Sequence, residues 1–78
     1  MWTLYYAPAA IAGMYKVPRG VAAEVTAAIV DLQREPIPTA AVPDPTGLEH
    51  TYAIQVAGHT ITYELMEAIR GVRLLAVE

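Results

Sequence analysis

Seventy-eight residues leave room for one domain, spanning 1–78, with a core that buries only about 60–65% of the extended chain's surface. Apolar types make up 55% of the chain and charged types 17%, which favours a compact fold over a disordered tail that could not offset its ordering entropy. A formal charge of −3 removes the broad drive toward a nucleic-acid backbone and leaves only a local basic patch. The absence of cysteine excludes disulfides, thiolate nucleophiles and cysteine-ligated zinc.

The chain opens with Trp2-Thr3-Leu4-Tyr5-Tyr6, rich in β-forming types and closed by Pro8, so a first strand is predicted. The small residues that follow, Ala9 to Tyr15, predict a short helical segment. Pro18 and Gly20 then interrupt the chain before a longer helix over 21–34. In it Val21, Val25, Ala28, Ile29 and Leu32 share one face, while Glu24, Asp31 and Arg34 keep the other wet. Glu35-Pro36 ends that helix, since proline restrains the residue before it. A proline-rich connection follows over 36–49, with four prolines between Pro36 and Gly47. It cannot donate a full ladder of backbone hydrogen bonds and is expected to cross irregularly.

From His50 the period changes to two. Tyr52, Ile54 and Val56 alternate with Ala53, Gln55 and Ala57; Gly58 permits a tight turn; His59, Ile61, Tyr63 and Leu65 then alternate with Thr60, Thr62 and Glu64. That is a β-hairpin. Met66 to Gly71 supplies a turn or wide connection, and Val72 to Val77 a last strand with apolar residues on both faces, as suits a central or helix-covered position. The order β-α-α-β-β-β, with a short first helix, predicts an α+β fold in which helices pack on one mainly antiparallel twisted sheet.

Few residues carry chemistry. His50 and His59 are the two histidines, with Glu49 and Glu64 as carboxylate neighbours, but no compact His/Asp/Glu spacing supplies three or four converging ligands. No metal and no cofactor are expected. His59 beside Gly58 is suited to acid or base work near neutral pH; its ordinary reading is a solvated turn residue. Arg70 and Arg73 flank Gly71 and offer two guanidinium forks to a phosphate, or serve a turn and a strand edge. Glu64 and Glu67 lie three apart without the sugar cleft a glycosidase pair requires. The tyrosines at 5, 6, 15, 52 and 63 are either base-stacking platforms or, in a chain with no Phe, its aromatic core.

The hairpin resembles the RelE/ParE superfamily of small toxins from bacterial and archaeal toxin–antitoxin pairs. Tyr52-Ala-Ile-Gln-Val-Ala-Gly58-His-Thr-Ile-Thr-Tyr63 is similar to a family stretch that reads roughly Tyr-Arg-Ile-Arg-Val-Gly-Asp-Tyr-Arg-Val-Ile-Tyr. Tyr5-Tyr6 with Pro8-Ala9-Ala10, Ala27 to Leu32 with Glu35-Pro36, and Leu74 to Val77 resemble the family's first strand, second-helix exit and closing strand. The framework positions that carry over are Tyr52, Ile54, Val56, Gly58, Ile61 and Tyr63. The resemblance implies a RelE-like fold neutralised by an antitoxin that wraps it. Some members cut messenger RNA on the ribosome without a metal, and others poison DNA gyrase. The cutting members use arginines, whereas the matching positions here are Ala53, Gln55 and Thr60, none of which stabilises a phosphorane as a guanidinium does.

The sequence therefore points to a toxin-like component of a type II toxin–antitoxin pair whose ribonuclease activity is weak, altered or absent, with His59, Arg70 and Arg73 as the available catalytic groups. Its partners are a cognate antitoxin protein and either the ribosome with mRNA or DNA gyrase. Two alternatives stay open: a non-catalytic protein-interaction module, and a gyrase-directed toxin without nuclease activity. Homodimerisation is a further open alternative. No apolar run reaches the roughly 20 residues that cross a bilayer, and no basic region followed by an apolar stretch opens the chain, so a cytoplasmic location away from membranes is expected.

Overall fold

The computed structural model describes residues 1–45 and 49–78. The elements run in the order β1 (Thr3–Tyr6), α1 (Pro8–Tyr15), α2 (Arg19–Asp31), β2 (Val42–Pro43), β3 (Thr51–Val56), β4 (His59–Met66) and β5 (Gly71–Val77), with a 3-10 turn at Glu67–Ile69. This is the expected α+β arrangement, two helices on a five-stranded sheet ordered β1-β5-β4-β3-β2. Three of the four strand pairings are antiparallel, and β1 lies parallel to β5.

Pro8 opens α1, where its missing N–H is one the first helical turn would leave unused. The second helix begins at Arg19, two residues earlier than the sequence pattern suggests. Pro18 holds an extended φ of −57° and ψ of 143° and its carbonyl accepts the N–H groups of Val21 and Ala22, so Gly20 falls inside the first turn and interrupts nothing. Regular helix stops at Asp31; Leu32, Gln33 and Arg34 continue as a tighter turn whose N–H groups reach back three residues. The predicted apolar face is the buried one. Val25, Ile29 and Leu32 are closed from solvent and Val21 and Ala28 half-closed.

One core forms where Ala10 of α1, Val25 and Ile29 of α2 and Leu32 just after it meet Ile54, Ile61, Tyr63, Leu65, Val72, Leu74 and Val77 of the sheet. Register explains why these sheet residues share a face: Ile61 pairs with Val77, Tyr63 with Leu74 and Leu65 with Val72. Between Thr62 and Tyr63 the register slips by one residue, leaving Leu75 without a partner. The last strand carries apolar residues on both faces, as expected, with Ala76 opposite Thr62 on the open side. The doubled residue lets Val72, Leu74 and Val77 all turn inward, while Arg73 points out. The position of β5 is central as expected, between β1 and β4.

The proline-rich connection also needs correction. Instead of crossing without regular structure, it contributes the two-residue edge strand β2, with Val42 opposite Ala53 and Pro43 opposite Tyr52. An edge tolerates Pro43 because its absent N–H would have faced solvent. Residues 46–48 of this connection lie outside the described residues. Tyr63 fastens the start of the connection to the sheet: its hydroxyl donates to the Pro36 carbonyl at 2.7 Å, and its ring stacks on Tyr52 with centroids 5.9 Å apart.

Candidate functional site

The hairpin places Ala53, Gln55 and Thr60, the positions that match arginines in the resembled stretch, on one surface. Side chains of Ile54, Ile61 and Tyr63 face the helices, so the alternate residues Ala53, Gln55, Thr60 and Thr62 face the opposite, uncovered side of the sheet. Thr60 lies directly across from Gln55, whose side-chain amide donates to the Thr60 hydroxyl at 2.7 Å. Ala53 lies across from Thr62, which in turn lies across from Ala76. None of these side chains carries a charge.

One row farther along, Thr51, Glu64, Arg73 and Tyr5 stand side by side across four strands. The Arg73 guanidinium donates to the Glu64 carboxylate at 3.3 Å, with both side chains partly in solvent. This ion pair answers one acid with one base and leaves the row without net charge. Arg73 is therefore not on a strand edge but in the centre of the sheet, and its fork is already engaged. Such a face offers hydroxyls, an amide and a neutralised ion pair. It presents hydrogen-bonding groups without the free guanidinium that would stabilise a doubly charged phosphorane, since charge-assisted hydrogen bonds are roughly twice as strong as neutral ones.

The other sequence candidates lie elsewhere. His59 is not a solvated turn residue. It begins β4, pairs with Val56 and points to the helix side, half-buried, in a groove between α1 and β5 that Lys16 and Glu78 also line. Arg70 sits at the far end of the same sheet, ending the 3-10 turn with a left-handed φ of 49°. The eight residues of β4 separate the two ends, a span of about 23 Å at strand rise. His59, Arg70 and Arg73 thus occupy two ends and two faces, and the structure does not bring them to one point.

The histidine singled out with Glu49 and Glu64 has a different neighbour. His50 holds φ at 65° and sets its Nδ1 3.9 Å from a carboxylate oxygen of Glu67, both side chains exposed. Among the described residues no group of three His, Asp or Glu side chains is arranged to hold a metal ion. Neither the Lys16 approach to His59 nor the His50 approach to Glu67 had a local sequence signal, because each pair joins separate elements.

Of the framework positions, Ile54, Ile61 and Tyr63 are closed from solvent and Tyr52 and Val56 half-closed against the same core. Gly58 makes the hairpin turn at φ 82°, preceded by Ala57 at φ 51°, so both central residues are left-handed, as in a type I′ turn. The Tyr63 phenol is pushed up to about 12, first by burial and then by the neighbouring Tyr52 hydroxyl.

No protein-family model and no curated protein matches the sequence. Solved structures do match. A chain of the toxin–antitoxin complex RelBE2 from Mycobacterium tuberculosis superposes with a TM-score of 0.84 at 23% identity, over 99% of this chain and 95% of that one. The isolated E. coli RelE toxin gives 0.82 at 18% identity, over 99% and 82% of the two chains. A chain of the archaeal RelE–RelB complex from Pyrococcus horikoshii gives 0.80 at 11% identity, over 99% and 92%. The chain therefore has a RelE-like fold across nearly its whole length, as the hairpin resemblance implied.

Proposed function

We propose that this chain is the toxin-type component of a bacterial or archaeal toxin–antitoxin pair, a cytoplasmic protein bound by a cognate antitoxin protein, with ribonuclease activity that is weak, altered or absent. The observation that carries the reading is the overlap, over 99% of the chain, with folds solved in RelE–RelB and RelBE2 complexes. The neutral open face supports the second half of it. A ribosome-directed RNA-cleaving toxin must handle a phosphate, and the positions on which the family places guanidinium groups are Ala53, Gln55 and Thr60. DNA gyrase is a target that requires no such constellation. If cleavage persists, His59, Arg70 and Arg73 are the groups available to it.

A second reading, a non-catalytic interaction module, is favoured by the exposed apolar residues Tyr6, Ile11 and Tyr15 around β1 and α1. Growth of a related host after induced expression, alone and with the product of the adjacent gene, separates the readings. Arrest relieved by the neighbour is the expected result, followed by assays of translation against supercoiling. Unchanged growth with soluble expression would overturn the toxin reading in favour of the interaction module.

A further inference from the structure

A recess opens on the helix side of the sheet where β1 gives way to α1. The Ala7 N–H donates to the Leu74 carbonyl, and Pro8 then starts the helix, so the last residues of β5 have α1 for a neighbour instead of a strand. Gly13 sets how closely the two approach, because a Cβ there would meet the Val77 carbonyl oxygen. Beside this contact lies a groove of about 500 Å³ whose lining includes Ala12, Gly13, Lys16, Val17, His59 and Val77. That volume lies in the range of small-molecule sites, roughly 300–1,000 Å³.

The contact of Gly13 with Val77 fixes which end of the groove is polar. From Leu74 onward α1 advances toward the end of β5, and Lys16 stands three residues past Gly13, about 4.5 Å farther along the helix. Strand β4 runs the other way, with Ile61 opposite Val77. His59 precedes Ile61 by two residues, roughly 7 Å past the same contact. The ammonium and the imidazole therefore belong to one end of the groove. Toward the other end the lining residues are Ala9 and Ala12, and α1 itself contains no charged residue.

Neither nitrogen group is engaged within the chain. Arg34 and Arg73 have carboxylate partners at 2.9 and 3.3 Å, and His50 approaches Glu67. Lys16 and His59 have no such partner among the described residues. Glu78 is the one acid among the groove's lining residues; it pairs with neither, and its N–H is committed to the Thr60 carbonyl at 2.8 Å. No acid precedes Glu24 in the sequence. A polyanion would require cations laid out along a track, whereas two nitrogen groups at the end of an apolar trough complement a single anionic head with an apolar body.

We propose that this groove binds a small organic acid, its carboxylate held between the Lys16 ammonium and the His59 imidazole and its hydrocarbon body laid over Ala12 and Gly13 toward Ala9. The site lies across the sheet from Ala53, Gln55 and Thr60, goes beyond the proposed function and does not depend on the chain being toxic. Because the groove follows the seam of α1 on β5, a bound acid also fastens the helix to the sheet and stabilises the fold.

The test titrates the full isotope-labelled chain with sodium hexanoate, with hexanol and hexylammonium as neutral and cationic bodies of the same length and acetate as the head alone. The expected result is that hexanoate shifts the His59 ring and the Ala12 and Gly13 amide resonances, raises the melting temperature, and binds at least tenfold more tightly than each of the other three. K16Q and H59Q each weaken hexanoate severalfold and leave hexanol unchanged, and Glu78→Gln strengthens hexanoate by removing the competing acid. Ala12→Leu, which fills the apolar end, abolishes binding with the circular dichroism spectrum unchanged. Absence of binding, equal affinity for hexanoate and hexanol or for hexanoate and acetate, shifts confined to Tyr6, Ile11 and Met14 on the opposite side of α1, or unchanged affinity in K16Q would each overturn the proposal. Growth arrest with no hexanoate binding would leave the functional reading standing and sink this one.

Discussion

On the helix side of the sheet, Ile61, Tyr63, Leu65, Val72, Leu74 and Val77 are closed from solvent and aligned by a bulge at Leu75. On the opposite side, the same strands present Ala53, Gln55, Thr60 and Thr62 and a Glu64–Arg73 ion pair. The two faces answer to different constraints. Burial specifies the first, since each closed aliphatic or aromatic side chain contributes roughly 1.5–3 kcal/mol and tolerates only shapes that fill the same space. The second is free to change because exposed substitutions usually alter stability by less than about 0.5 kcal/mol. A RelE-like fold at 11–23% identity fits that division. The frame matches while the opposite face carries no free charge at Ala53, Gln55 and Thr60.

The largest effect expected from breaking the packed side is at Gly13. A Cβ there would collide with the Val77 carbonyl oxygen, a backbone atom that cannot rotate away. Gly13→Ala must lift α1 from β5, and thermal unfolding should record a loss of about 3 kcal/mol, the upper end of overpacking costs.

Next is Tyr63, whose hydroxyl ties Pro36 to the sheet and whose phenol is raised to about 12 by burial and Tyr52. A raised pKa in the fold means the folded state keeps its proton after the unfolded chain has lost it. The contribution is therefore full below pH 10 and is lost as pH rises from 10 to 12. Over that window urea unfolding should show stability falling by about 2–3 kcal/mol. Tyr63→Phe should flatten this dependence and cost about 1 kcal/mol at neutral pH for the lost hydrogen bond.

Changes on the open side should move function while sparing the fold. Ala53→Arg, Gln55→Arg and Thr60→Arg together should leave the melting temperature within a few degrees and create affinity for single-stranded RNA. Because each phosphate contact adds about −0.7 to the logarithmic salt slope, titration at several salt concentrations should give a slope near −2.

The smallest effect lies between the faces, in the turn. Ala57 holds φ at 51°, where a residue with a Cβ is strained by about 1–2 kcal/mol and Asn less so. Ala57→Asn should raise stability by about 0.5–1 kcal/mol, measured by chemical unfolding.

What the sequence made legible follows from how local each signal is. The stripe of Val25, Ile29 and Leu32 identified α2, and alternation around Gly58 identified the hairpin and which residues share each of its faces. The same alternation was enough to put Ala53, Gln55 and Thr60 on one surface. By contrast, β2 is held by pairing with Ala53 and Tyr52 rather than by any preference of Val42-Pro43, so composition alone reads it as irregular. The bulge at Leu75 depends on β4, and the parallel seat of β1 beside β5 joins the two ends of the chain. The candidate site was less legible than the fold for the same reason. That Glu64 engages Arg73, that His59 turns to the helix side, and that Arg70 stands at the far end are consequences of register and topology.

Cleavage of ribosome-bound messenger RNA by the purified chain in a reconstituted translation system, mapped by primer extension, tests the central claim most directly. The account predicts no cut above background, because the open face has no guanidinium at Ala53, Gln55 and Thr60. Cuts within the translated codons that disappear in the H59A/R70A/R73A variant would contradict it.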